Sequence, residues 1–287
     1  MRPDARPDAL RACGKRLSLC RRTVLMGVLN VTPDSFSDGG DFSSPDLAAA
    51  HARKMVADGA DWIDIGGEST RPGHVPVGVE DEWRRVAPVL EQLGRDFPAP
   101  ISIDTQKAVI AERALKAGAR IVNDIWGFQR DPEMARVAAG YGACAILMHN
   151  RDEVDGSIDI LDAVKRFLTR SAEIALAAGL KEDQIVLDPG LGFGTTREQE
   201  MQLIARLGEI KALGFPVLLG ASRKRFIGHI LQRDNARERV WGSLGAHLVG
   251  LCAGADIIRA HDIAEHRDAL KVADAIRQSI AREEEPT

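Results

Sequence analysis

The chain has 287 residues, a hydrophobic share of 45% and a formal net charge of −4 at pH 7. That length holds one large domain or two modest ones, with enough apolar residues for a substantial core. The negative balance argues against a general nucleic-acid or membrane-binding surface, while leaving room for a local basic pocket that takes a phosphorylated small molecule.

In chain order, residues 1–22 read as a partly flexible N-terminal extension: a frayed tail over 1–10, then a short hairpin in GKRLSLCRRT at 14–23. The extension has arginines but no apolar core of a secretory signal, and no later window has the length of a membrane-spanning helix. Strands are predicted at 24–30, 62–66, 101–104, 120–124, 143–148, 185–188, 216–220 and 256–259. Helical periodicity falls between them, at 45–58, 79–95, 107–117, 132–141, 158–178, 197–213 and 235–253, with a last helix at 263–282. Eight strand–helix units of this size predict a single α/β domain over 23–283, a (β/α)8 TIM barrel. A doubly wound open sheet is the rival, but it wants a Gly-rich dinucleotide fingerprint after the first strand, and none stands there. The four cysteines, Cys13, Cys20, Cys144 and Cys252, show neither metal-ligand spacing nor disulfide density, which fits a reducing cytoplasm.

The polar residues cluster where the apolar runs end. Asn30, Asp64, Asp104, Asn123 with Asp124, His149, Asp188, Ser222 to Lys224, and Arg259 with His261 all follow β-like segments. In a barrel these positions converge on the C-terminal mouth, where chemistry is built. The loop NVTPDSFSDGG at 30–40 offers an amide, three hydroxyls and two carboxylates around a single Phe36, and suits a mobile cover over a charged ligand. Thr70 and Arg71 in GGESTRPG, with Arg259 and His261, predict a phosphate or diphosphate cradle, because guanidinium forks match phosphate oxygens. Asp104, Asn123, Asp188 and Lys224 suit a planar heterocycle with adjacent N–H donors, such as guanine or pterin. Asp124 reads as a structural cap.

The segments MGVLNVTPDSFSDGG, DIGGESTRPG, ISIDT, VNDIWG, LDPGLGFG, GASRKRFIG and IIRAHD occur in order over residues 26–262. With them the chain resembles the dihydropteroate synthase family, folate-pathway enzymes that sulfonamides target. The resemblance implies that 6-hydroxymethyl-7,8-dihydropterin diphosphate condenses with 4-aminobenzoate to give 7,8-dihydropteroate and diphosphate. It further implies that Asn30 binds Mg2+, that Thr70, Arg71, Arg259 and His261 hold the diphosphate, and that Asp104, Asn123, Asp188 and Lys224 bind the pterin. Phe36, Pro72 and Ser222 then border the aminobenzoate. Asp38 approaches the reacting centre and, with Arg71, Asp104 and Lys224, makes up the expected catalytic set. A homodimer is implied as well, with the late helices apolar enough to permit it.

Two features depart from the family pattern. Arg225 follows the Ser-Arg-Lys triplet where a small residue is common, and His149–Asn150 lead into the acidic loop RDEVDGS; both are expected at the rim of the mouth. Among other readings, a pterin-dependent methyltransferase would not require the first loop or the Ser-Arg-Lys motif, and an idle pterin-binding protein would not need Asn30, Arg71, Lys224 and His261 together.

Overall fold

The computed structural model describes residues 9–12, 15–18, 22–31, 44–68 and 76–283. Two short strands, β1 (Ala9–Ala12) and β2 (Lys15–Ser18), pair antiparallel, so the hairpin lies several residues nearer the start than the 14–23 stretch expected from sequence.

Eight parallel strands follow: β3 (Val24–Asn30), β4 (Trp62–Gly66), β5 (Ile101–Asp104), β6 (Ile121–Asp124), β7 (Cys144–Met148), β8 (Ile185–Asp188), β9 (Leu218–Leu219) and β10 (Ile257–Ala260). Their order is β8-β7-β6-β5-β4-β3-β10-β9, and a parallel bridge between Leu187 and Val217 joins β8 back to the run that enters β9. The sheet therefore closes on itself as a (β/α)8 barrel. The helices α1 (Ser44–Ala57), α2 (Val79–Leu93), α3 (Ala108–Ala117), α4 (Met134–Gly140) and α5 (Ile160–Ala177) follow the first five barrel strands in turn. Beyond β8 come α6 (Arg197–Ala205) and α7 (Leu207–Lys211); beyond β9, α8 (Arg225–Leu231) and α9 (Val240–Cys252); beyond β10, α10 (Ile263–Glu283).

Departures from the predicted elements are local. The 197–213 helix breaks at Arg206, whose φ/ψ of −109°/24° leaves the helical region. The 216–220 strand is two residues long, preceded by the Val217 bridge, and the Val217 N–H donates to Asp256 Oδ2 at 2.8 Å. The 235–253 helix opens with a 3-10 turn, Ala236–Arg239, capped by the Asn235 side chain.

Two apolar layers position the mouth. An outer core lies between strands and helices, and a separate inner cluster of Val24, Met26, Trp62, Ile121, Cys144, Ile146, Val186, Leu218 and Ile257 plugs the barrel. Strand alternation sets the boundary. Trp62, Asp64 and Gly66 share a face, as do Ile121 and Asn123, Val186 and Asp188, and Ile257 and Arg259. Each inward row thus starts apolar and turns polar or open toward its C-terminal end.

Candidate active site

The polar layer above the plug is organised by one guanidinium. Arg259 Nε donates to Asp64 Oδ2 at 2.8 Å, and its terminal nitrogen reaches Asp64 Oδ2 at 2.7 Å and Asp104 Oδ2 at 3.0 Å. Asn123 Nδ2 donates to the same Asp64 oxygen at 3.0 Å. Asp64 is fully buried. Burial, then the neighbouring Asp64, push the Asp104 carboxyl up to about 7, against the pull of Arg259.

On the opposite strands, Asp188 Oδ1 accepts from Gly190 N at 2.8 Å, and burial raises its carboxyl to about 6. Lys224 caps the start of α8 with its backbone, while its Nζ turns inward to Leu191 O at 2.7 Å and stands 4.6 Å from the centre of the Phe193 ring. Burial lowers the Lys224 ammonium to about 8, with Asp188 opposing that fall. The loop at 190–194 needs its first glycine: Gly190 has φ +73°, and a Cβ there would sit 1.9 Å from His149 O.

Three oxygens in this layer, Asp64 Oδ1, Asp104 Oδ1 and Asn123 Oδ1, are buried with no hydrogen-bond partner among the described residues. Buried acceptors left in this state are costly unless a ligand supplies donors. The surface therefore suits a flat molecule edged with N–H groups. With Asp64, Asp104 and Asp188 facing Arg259 and Lys224, it also carries more potential negative than positive charge.

The rim is built from the loops after β9 and β10. Ser222 Oγ and His261 Nδ1 are 2.9 Å apart, and His261 N donates back to Ser222 Oγ at 3.2 Å. Arg223, held at φ +60°, forks onto the Asp262 carboxylate, with Nε to Oδ2 at 3.0 Å. Asn30 ends β3, and a Cβ added at Gly66 would lie 3.6 Å from Asp104 Cβ and 3.8 Å from Asn30 Oδ1. The absent side chain keeps that corner open between the amide oxygen and the carboxylate.

The structure thus brings together Asn30, Asp104, Asn123, Asp188, Ser222, Lys224, Arg259 and His261. Phe36, Asp38, Thr70, Arg71 and Pro72 lie outside the described residues. Although Arg259 and His261 are two residues apart, they engage different partners: Arg259 reaches into the barrel floor, whereas His261 joins the Ser222 loop. Asp124 is the expected cap, accepting from Trp126 N at 2.9 Å and Phe128 N at 2.8 Å. His149 and Asn150, expected at the rim, are instead buried, with the His149 ring edge-on to Phe167 at 5.1 Å; Arg225 is exposed.

Sequence reading named Asp64 among the strand ends but gave it no role, although its parity with Trp62 and Gly66 points it inward. It also missed Lys107, which bridges Glu68 Oε2 and Glu82 Oε2 at 2.5 Å each, while Glu68 Oε1 accepts from Val77 N at 3.0 Å.

A profile of the pterin binding enzyme family matches residues 26–261. A dihydropteroate synthase of Clostridium beijerinckii is 46% identical over 263 residues, covering 91% of this chain and 97% of that one. The chain belongs to the dihydropteroate synthase family. Among solved structures of the family, the Xanthomonas albilineans dihydropteroate synthase with 4-aminobenzoic acid superposes with a TM-score of 0.90 at 41% identity, over 95% of this chain and 99% of that one. The Thermus thermophilus dihydropteroate synthase in complex with 6HMPPP has a TM-score of 0.81 at 43% identity, covering 93% and 98%. Both superpositions cover nearly the whole of this chain and of the solved dihydropteroate synthases.

Proposed function

We infer that this chain is a transferase of folate biosynthesis that joins 6-hydroxymethyl-7,8-dihydropterin diphosphate to 4-aminobenzoate, giving 7,8-dihydropteroate and diphosphate. The observation that carries the reading is the buried acceptor floor of Asp64, Asp104 and Asn123, set opposite Asp188 and Lys224 in a family of pterin binding enzymes. Asp104, Asn123 and Asp188 accept from the N–H edge of the pterin, and Lys224 donates to a ring oxygen or nitrogen. Arg259 and His261, with Thr70 and Arg71, take the diphosphate. Ser222, Phe36 and Pro72 border the aminobenzoate position, where a sulfonamide would compete.

The chemistry asks little of acids or bases. The bond from the exocyclic carbon to the diphosphate oxygen breaks first, and both electrons leave with the diphosphate. The resulting cation is spread over the electron-rich dihydropterin and faces a carboxylate-rich floor, which stabilises it electrostatically. The aminobenzoate nitrogen then forms the new carbon–nitrogen bond and releases one proton. Asp38 is the group we assign to approach that centre. Purified protein with both substrates and Mg2+ is expected to form dihydropteroate, with a normal secondary deuterium isotope effect at the reacting carbon. Intact substrates after incubation would refute the activity, and an effect near unity would refute the dissociative step.

The donor set near Asn30 fits magnesium. The described residues hold no group of three or more His, Cys, Asp or Glu side chains placed to bind a metal, and Asn30 offers one hard oxygen at the open corner beside Gly66. That suits an ion that keeps most of its waters and takes its remaining ligands from substrate phosphates. Mg2+ would neutralise charge on the leaving diphosphate, with Asn30 Oδ1 as the protein ligand. EDTA is expected to abolish turnover and added Mg2+ to restore it. Asn30→Ala should raise the Mg2+ concentration for half-maximal rate by about tenfold, as for loss of one ligand interaction worth ~1.4 kcal/mol; an unchanged requirement would remove Asn30 from this role.

We further propose a homodimer through α6, α8 and α9. Met201, Ile230, Leu231, Trp241 and Val249 are exposed apolar side chains of these helices, Trp241 to 74%. They lie in or beside one apolar groove over Ile204, Phe226 and Ile227. Contiguous apolar exposure of this kind is what a partner surface covers. Light scattering should give twice the 31.1 kDa chain mass, and Val249→Asp should return it to one. No helix of the described residues is long and apolar enough to cross a membrane; a cytoplasmic setting is our reading of the cysteine pattern.

A further inference from the structure

Two histidines that the substrate site does not use lie behind it, His247 on α9 at 1% exposure and His266 on α10 at 0%. His247 Nε2 faces the Ala221 N–H at 3.0 Å. On its other side, His247 Nδ1 is 2.8 Å from His266 Nε2, and His266 Nδ1 is 2.6 Å from the Asp262 carbonyl oxygen.

The two ends fix every proton. A backbone N–H only donates, so His247 Nε2 carries no hydrogen; a carbonyl only accepts, so His266 Nδ1 carries one. Each neutral imidazole has a single N–H, so the middle bond runs from His247 Nδ1 to His266 Nε2. All three bonds point the same way, from Ala221 to Asp262.

Those end points are the roots of the two rim loops. Ala221 precedes Ser222, Arg223 and Lys224; Asp262 follows Arg259 and His261. The Ser222–His261 and Arg223–Asp262 contacts cross the same seam, and the histidines close it from the buried side. We propose that His247 and His266 are positioning residues that hold the loop after β9 in register with the loop after β10. The proposal rests on the dihydropteroate synthase reading, which places Ser222, Lys224 and His261 at the substrates.

The chain tolerates no extra proton. One added to His247 lands on Nε2 and meets the Ala221 N–H; one added to His266 lands on its Nε2 and meets the His247 N–H. Burial holds His247 well below the ordinary 6.5 and lowers His266 too, which keeps the pair neutral near pH 7. The charged and titratable groups around the pair are His261 and Asp262 after β10, Glu265 on α10, and Arg223 after β9.

His247→Leu leaves the buried Ala221 N–H without an acceptor. His247→Gln places a side-chain oxygen near the lost Nε2. His247→Leu is expected to raise KM for the pterin diphosphate by about fivefold or more, the lower end of what an unsatisfied buried donor costs, with kcat within about twofold. His247→Gln should recover most of that KM. An unchanged KM in the Leu variant, or a Gln variant as impaired as Leu, would overturn the proposal. Should the Leu variant not fold, His266→Asn keeps a donor for Asp262 but removes the acceptor facing His247; a wild-type KM there would equally overturn it. Wild-type protein that makes no dihydropteroate would instead overturn the function, independently of the histidines.

Discussion

Arg259→Ala is expected to raise KM for the pterin diphosphate at least 100-fold while changing that for aminobenzoate less than fivefold, because two charge-assisted hydrogen bonds at ~1.5–3 kcal/mol each are lost. Similar losses for both substrates would show that the guanidinium is not a diphosphate ligand. The variant should also unfold more readily, by about 3–5 kcal/mol, since Asp64 and Asp104 lose the cation they share in the barrel. Its pH dependence is distinctive. Asp104, at about 7 with Arg259 present, moves higher without it. A carboxyl whose folded pKa is raised costs nothing below the unfolded value near 4 and costs progressively more as pH rises toward the folded value. The stability deficit against wild type should therefore be smallest near pH 5 and largest at pH 8. A deficit that is flat with pH across thermal melts would contradict the shared-cation geometry.

Asp188→Ala should lower kcat/KM by about 10²- to 10³-fold, equivalent to ~3–4 kcal/mol of transition-state stabilisation. The loss has two sources. The pterin edge loses an acceptor, and the loop at 190–194 loses the anchor between Asp188 Oδ1 and Gly190 N. Lys224 also responds. Burial already brings its ammonium down to about 8, and Asp188 resists further descent more than Glu200 or Asp104 does. Without that carboxylate Lys224 gives up its proton at lower pH, so the alkaline decline of kcat/KM should move toward neutrality. An alkaline limb that stays in place would show that Lys224 and Asp188 do not act on one substrate.

Much of this site is legible in the sequence because a barrel converts local signals into shared location. A strand of four or five apolar residues that ends in Asp, Asn or Arg must deliver that group to one mouth, whatever the exact strand ends are. Asp104, Asn123 and Asp188 follow from this rule alone. Asp64 escaped because its role is relational: only the pairing of β10 with β3, next to β4, brings Arg259 across to it from 195 positions away. The His247–His266 pair escaped for the same reason. In the run VWGSLGAHLVGLC, His247 reads as one polar residue on an apolar helix, and its partner stands on the next helix. His149 misled because its place at a strand end suggested exposure, whereas the close approach of Gly190 packs backbone against it.

The apolar plug of Trp62, Ile121, Ile146, Val186, Leu218 and Ile257 has a consequence for traffic. Among the described residues it closes the barrel below the polar layer. The groups assigned to the pterin sit directly on the plug, while Ser222 and His261 belong to the loops above. An aminobenzoate that arrived first would stand in the passage the pterin must use. On that assignment we expect sequential entry, the pterin diphosphate first and the arylamine last, which inhibition by excess 4-aminobenzoate would check.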